Sequence, residues 1–201
     1  VIRVLLADDQ AMVRGALATV LDLEPDIEVV AQVGSGDEVP AAARESTPDV
    51  ALLDVQMPGT DGLTAAAELR SQLPGCRVII CTTFGRPGYL ARAMAAGAAG
   101  FVVKDAPPEQ LVEAVRRVHK GLRVVDPALA AESLATGASP LTGRERDVLH
   151  AASDGSTVAD LAKALFLSEG TVRNHLSAAI GKTGARTRAE AVRMAEERGW
   201  L

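Results

Sequence analysis

Five polar residues stand where apolar runs of this 201-residue chain stop. Asp8 and Asp9 follow Val1–Ala7, Asp54 follows Val50–Leu53, Thr82 follows Val78–Cys81, and Lys104 follows Gly100–Val103. Three carboxylates brought to one place repel each other and require a cation between them. A hard divalent ion such as Mg²⁺ answers that need, because it takes oxygen ligands and keeps positions open for phosphate oxygens. A hydroxyl and an ammonium nearby would meet an anion placed on Asp54. Carboxylate nucleophile, metal, hydroxyl and lysine together describe phosphoryl transfer to Asp54.

That chemistry requires elements that bring the five residues together. The runs that precede them, with a further one at Ile27–Val33, are short and rich in Val, Ile and Leu, as fits strands buried on both faces. Helical stripes lie between them: Val13, Ala16, Leu17, Val20 and Leu21 in one, Leu111, Ala114, Val115 and Val118 in another. Alternating strand and helix predicts an α/β fold, a five-stranded doubly wound parallel sheet. In a sheet ordered 2-1-3-4-5, the first and third strands meet at the switch point, and Asp8, Asp9 and Asp54 converge there. Taken singly, each residue has a plainer role: a turn aspartate, a solvated lysine, a threonine satisfied by its own backbone. Their joint occurrence at four strand ends favours a site. Cys81, beside Thr82, reads as a buried strand thiol rather than a redox centre.

Ala7-Asp8-Asp9, Leu53-Asp54-Val55-Gln56-Met57-Pro58-Gly59, Thr82-Thr83-Phe84, Ala96-Gly97-Ala98 and Phe101-Val102-Val103-Lys104-Asp105 resemble the receiver domain of response regulators. The resemblance covers about residues 1–120. It implies that Asp54 is the phospho-acceptor, that Asp9 and Asp54 bind Mg²⁺ directly with the Gln56 backbone carbonyl, and that Asp8 acts mainly through water. It also implies that Thr82 and Phe101 form a switch pair, the ring following the hydroxyl inward.

Beyond residue 120 the pattern changes. Residues 121–140 read as a linker, clearest over the Gly-, Ser- and Ala-rich Ala135–Pro140, with a possible short helix at Pro127–Leu134. Residues 141–201 predict an all-α domain of four helices, near 142–153, 157–165, 169–182 and 188–198. Thr142 with Glu145 and Thr187 with Glu190 have capping-box spacing, and Thr157 with Asp160 a weaker version. Ser168 is a natural N-cap for the third helix. On that helix Val172, Leu176, Ala179 and Ile180 make the inward stripe, while Arg173, Asn174 and Ser177 share another face. Arg suits guanine and Asn suits adenine in the major groove. From Thr171 to Ala189 there are four cations (Arg173, Lys182, Arg186, Arg188) and no carboxylate, a strip suited to phosphates. Composition alone leaves DNA binding and an ordinary solvated helix face evenly matched.

Leu141-Thr142-Gly143-Arg144-Glu145-Arg146-Asp147-Val148-Leu149, Leu161-Ala162 and Leu167-Ser168-Glu169-Gly170-Thr171-Val172-Arg173-Asn174-His175 resemble the LuxR-type helix-turn-helix. With the receiver they point to the NarL/FixJ class of response regulators, and Thr82–Tyr89 resembles its desaturase-regulator-like subgroup. Thr183 stands where relatives usually have Leu. The resemblance implies DNA contacts from Thr171, Arg173, Asn174, His175, Ser177 and Lys182. It implies a sensor histidine kinase, promoter DNA, a second copy of the chain and RNA polymerase as partners, a cytoplasmic setting, and a transcription regulator rather than an enzyme. Dimerisation through the first and fifth helices, or through the fourth-helix/fifth-strand face, would be the switch. The alternative is release of a receiver that masks the recognition helix.

Composition bounds these readings. Residues 1–140 carry 12 Lys/Arg and 18 Asp/Glu, and residues 141–201 carry 9 and 8, so only the second part leans basic. Two cysteines supply neither a disulfide framework nor a four-ligand zinc site, and read as reduced thiols. No apolar run reaches the roughly 18–20 residues a membrane span needs. The chain opens at Val1 without a Met, as fits a short N-terminal piece missing or renumbered, and its first apolar run is too short for a signal peptide and lacks its basic start. Two other functions remain open. A metal-dependent phosphatase would place its nucleophile on the first strand with an Asp two residues on, which Asp8-Asp9-Gln10 does not supply. An orphan DNA-binding protein would have lost phosphorylation, which the intact Asp9, Asp54, Thr82 and Lys104 set argues against.

Overall fold

A computed structural model of the chain describes residues 1–83, 87–136 and 139–201. Phe84, Gly85 and Arg86 of the subgroup-like segment, and Gly137 and Ala138 of the expected linker, lie outside them. The chain divides into two compact units, the second comprising Glu132–Leu201 and, among the described residues, also 87–89.

The first unit alternates strand and helix as its apolar runs predict. Its strands are β1 (Ile2–Ala7), β2 (Ile27–Val33), β3 (Val50–Leu53), β4 (Arg77–Thr82), β5 (Gly100–Val103) and β6 (Val124–Val125). The helices between them are α1 (Ala11–Asp22), α2 (Val39–Ser46), α3 (Gly62–Gln72), α4 (Pro87–Ala96) and α5 (Pro108–His119). All pairings are parallel and the order is β2-β1-β3-β4-β5-β6. The expected order is present with one strand added. Val124–Val125 pairs with Gly100 and Phe101 inside the stretch expected to be a linker. Two residues leave no period to read, so only the open edge of β5 reveals them.

Strands β1, β3 and β4 are covered on both faces, which is why their sequences are apolar without alternation. Val4, Leu6, Val50, Leu52 and Ile79 form one core with Leu21 of α1 and Leu111, Val115 and Val118 of α5. Helix α5 is amphipathic, with Leu111, Ala114, Val115 and Val118 buried at helical spacing.

Helix α6 (Pro127–Thr136) also falls in the expected linker and runs across the division between the units. The second unit then builds α7 (Gly143–Ala151), α8 (Val158–Ala164), α9 (Glu169–Thr183) and α10 (Arg188–Glu197), close to the four expected helices. Val148, Leu149, Leu161, Val172, Leu176, Ala179, Val192 and Trp200 share its core.

The caps explain where these helices start. Thr142 Oγ1 accepts from the Glu145 N–H at 3.3 Å and the Glu145 carboxylate accepts from the Thr142 N–H at 2.7 Å, a complete capping box. Thr157 and Ser168 cap α8 and α9 through the N–H groups of Asp160 and Thr171. Thr187 caps α10 through the Glu190 N–H, but the Glu190 carboxylate accepts from the Arg186 N–H, one residue before the expected partner. Thr183 is buried, and it is satisfied because its hydroxyl donates to the Ala179 and Ile180 carbonyls of its own helix.

Candidate functional site

The backbone brings the acidic residues together before their side chains act. The Asp54 N–H donates to the Ala7 carbonyl at 2.9 Å, which sets the end of β3 beside the end of β1. The Lys104 N–H donates to the Thr82 carbonyl at 2.7 Å and fixes the end of β5 against β4. The loop after Asp54 is held just as closely. Gly62 opens α3 with its N–H on the Val55 carbonyl, and a Cβ there would lie 1.8 Å from the Asp54 carbonyl oxygen. Only glycine allows that approach.

Asp8, Asp9 and Asp54 each offer an oxygen within 4.8 Å of the others. Asp8 and Asp54 are buried, 3% and 5% exposed, whereas Asp9 is open to solvent. The Lys104 Nζ sits 2.7 Å from Asp8 Oδ2 and 3.2 Å from Asp54 Oδ2, itself buried. The other oxygens of the buried pair take backbone donors, Gln10 N–H for Asp8 and Val55 N–H for Asp54. Burial pushes the Asp54 carboxyl above its ordinary value, with the Lys104 ammonium opposing it. For Lys104, burial acts to lower the value, but Asp8 and Asp54 outweigh it and the net shift is upward. One buried ammonium thus serves two buried carboxylates, leaving an excess of negative charge that the open Asp9 increases. Hard oxygen donors with surplus anionic charge fit a divalent cation of the Mg²⁺ type.

Thr82 is 3% exposed at the end of β4, and Phe101 is packed in the sheet interior, opposite Ile80 and Val125. Gln56 lies in the loop after Asp54 with its side chain exposed. Arg14 is a contributor that sequence reading missed: its guanidinium donates to the Asp8 carbonyl from α1. No motif marks it, because the bond depends on how α1 lies on the sheet. Cys81 and Cys76 are both buried, and burial pushes each thiol up to about 12, which removes the nucleophilic thiolate.

In the second unit Arg173, Asn174, Ser177 and Lys182 are exposed on α9, while Thr171 and His175 are half-buried. The hydroxyl of Thr171 is 2.8 Å from that of the cap Ser168. The cation strip is more neutralised than its sequence window implies. Arg173 pairs with Glu169 at 2.6 Å, Arg186 lies 3.7 Å from Glu190, and Lys182 donates to both oxygens of Glu145 at 2.8 and 2.9 Å. Arg188 donates to the Ser156 carbonyl. The pairing carboxylates fall outside residues 171–189, which is why a count over that window misses them. Glu145 is the structural surprise: it caps α7 and clamps α9, and the Lys182 ammonium together with the Thr142 N–H holds its carboxyl below the ordinary range.

A doubly wound parallel sheet with an acidic carboxyl edge, joined to a helix-turn-helix unit, defines the two-component response regulators. The chain matches the response regulator receiver domain over residues 4–116 and the luxR family of bacterial regulatory proteins over residues 139–195. It is similar to the transcriptional regulatory protein DesR of Bacillus subtilis (strain 168), 42% identical over 200 residues and covering 100% of this chain and 99% of that one. It is 36% identical over 205 residues to the DNA-binding transcriptional activator DevR/DosR of Mycobacterium tuberculosis, covering 98% and 94%. Among solved structures, the response regulator ChrA of a heme-sensing two-component system is 34% identical, covers 100% and 98%, and superposes with a TM-score of 0.58. The chain belongs to the response regulator family and carries a LuxR-type DNA-binding domain, so it is a regulator of transcription rather than an enzyme.

Proposed function

We propose that Asp54 is the phosphoryl acceptor and that its phosphorylation controls DNA binding by the second unit. The observation that carries this is the convergence of Asp8, Asp9, Asp54 and Lys104 at one sheet edge. An Asp54 oxygen attacks the phosphorus of a phosphohistidine on a sensor histidine kinase, the P–N bond breaks, and the departing imidazole takes a proton. Asp9, Asp54 and the Gln56 backbone carbonyl would hold Mg²⁺, and Asp8 would act through water. When bound, the ion neutralises charge on the transferring phosphoryl oxygens. Lys104 then gives its ammonium to the phosphoryl group and Thr82 its hydroxyl, with Phe101 as the aromatic partner of the Thr82 switch.

Residues 1–120 act as the receiver, 121–140 connect, and 141–201 bind promoter DNA in the cytoplasm. Helix α9 enters the major groove with Arg173, Asn174 and Ser177 toward base edges, and Thr171, His175 and Lys182 toward the backbone. A phosphorylated homodimer engages two half-sites and then RNA polymerase. Incubation with acetyl phosphate and Mg²⁺ tests the acceptor: one hydroxylamine-labile phosphoryl group is expected on the wild type. A stable, stoichiometric product on Asp54→Asn would sink the assignment.

A further inference from the structure

Four helices of the chain end in the same way, and α8 repeats their hydrogen bonds with a different residue at the turn. After α4, α5, α9 and α10, a glycine takes the left-handed conformation: Gly97, Gly121, Gly184 and Gly199, with φ between 65° and 95°. At each, the glycine N–H and the next N–H turn back onto carbonyls of the last helical turn. Helix α8 ends with the same pair of bonds, Phe166 N–H to the Lys163 carbonyl at 3.3 Å and Leu167 N–H to the Ala162 carbonyl at 2.9 Å. The left-handed residue there is Phe166, at φ 54°. Among the described residues it shares a positive φ only with Thr47, glycines aside.

Phe166 is unfavourable to folding in two respects. A bulky side chain is strained in this region of backbone space. Its ring is also 95% exposed and so contributes nothing to the core, in a chain with only three Phe, one Tyr and one Trp. Its neighbours Leu165 and Leu167 do pack on that core. A glycine would serve the turn better. Its position points to a partner. Three residue steps lead from Phe166 to Glu169, the first residue of α9, at most about 10 Å of chain. The major groove is about 12 Å wide.

We infer that Phe166 is a DNA-contacting residue whose ring packs on apolar carbon surface at the rim of the groove that receives α9. This rests on the placement of α9 in the groove proposed above. Two parts of DNA supply that chemistry, the deoxyribose ring and the thymine methyl group.

The test uses the full-length chain and the tightest duplex selected by the wild type from a random pool. Phe166→Gly relieves the backbone, so its melting temperature holds or rises, while its affinity falls roughly tenfold, the worth of half-burying a phenyl ring. Phe166→Asn also tolerates the left-handed turn and repeats the test should the glycine variant misbehave. Uracil-for-thymine duplexes separate the two sources. A penalty seen with the wild type but not with Phe166→Gly assigns the ring to a thymine methyl, and equal penalties assign it to the sugar. Undiminished affinity in both Phe166 variants, alongside lost base discrimination in Asn174→Ala, overturns the inference while leaving α9 in place. No effect from Asn174→Ala either would overturn the placement of α9 and this inference with it. Intact DNA affinity with reduced transcription in a reconstituted system would move the ring to a protein partner, and also overturns it.

Discussion

At the scale of single residues, Lys104 is the group on which stability and the proposed phosphoryl signal meet. It neutralises two carboxylates that are otherwise buried side by side. Removing one partner of a buried ion cluster costs about 3–5 kcal/mol. Lys104→Ala is therefore expected to lower the stability of the first unit by that order in chelator, measured by denaturant unfolding. Mg²⁺ should restore part of the loss, because a cation replaces the missing ammonium. The same variant, saturated with phosphoryl group, should fail to raise DNA affinity. Activation equal to that of the wild type would show that Lys104 does not report the phosphoryl group. Sequence reading finds Lys104 by its place after a strand. It does not show that the ammonium already belongs to Asp8 and Asp54 in the resting protein.

At the scale of elements, the link between α7 and α9 runs through Glu145 and Lys182. Glu145 is held below its ordinary value near 4.5, with Lys182 as the first cause. A carboxyl with a depressed folded value stabilises the protein above its unfolded value, and loses that contribution as pH falls through the folded one. The second unit is accordingly expected to lose stability below about pH 4.5. Lys182→Met should cost about 1–3 kcal/mol at neutral pH and flatten that acid limb, read by helix ellipticity. Parallel acid limbs for variant and wild type would remove the pair from this role. Lys182 thus positions α9, and if it also offers charge to a phosphate, as proposed, its substitution should weaken all DNA sequences alike. Arg173→Ala should instead cost about 1–3 kcal/mol of discrimination against the wrong base, with Glu169 as the competitor its guanidinium leaves. On the sheet side, Gly62→Ala should impair Asp54 phosphorylation although residue 62 carries no chemistry, since its Cβ would collide with the Asp54 carbonyl. An undiminished labelling rate would show that the loop yields.

At the scale of the whole molecule, phosphorylation is expected to act by pairing two chains. A single helix-turn-helix whose cations are mostly engaged binds weakly, and two linked copies gain effective concentration. A two-fold dimer would read half-sites about one helical turn apart. Light scattering with and without beryllofluoride and Mg²⁺ checks this. An activated species that stays monomeric at micromolar concentration while binding DNA more tightly would favour release of a masked recognition helix instead.

The sequence by itself determined the elements and the acidic site, and the reason is locality. A strand buried on both faces must be apolar, so its end is visible wherever a charged residue appears. In a parallel sheet every such end lies on one edge, which makes Asp8, Asp54, Thr82 and Lys104 neighbours as soon as the strand order is known. Caps are equally local, and Thr142, Thr157, Ser168 and Thr187 open their helices as expected, although the Glu190 half of the last capping box goes to the Arg186 N–H. What tertiary structure decided is long-range. The clamp of Glu145 on Lys182 spans 37 residues, the grip of Arg14 on the Asp8 carbonyl depends on how α1 lies on the sheet, and β6 exists only because β5 offers it an open edge. No period or spacing encodes such contacts, since each is fixed by the approach of two elements rather than by the residues of one. The left-handed Phe166 stands between the two cases: the helix end is local, but only the folded chain shows that its ring is buried against nothing.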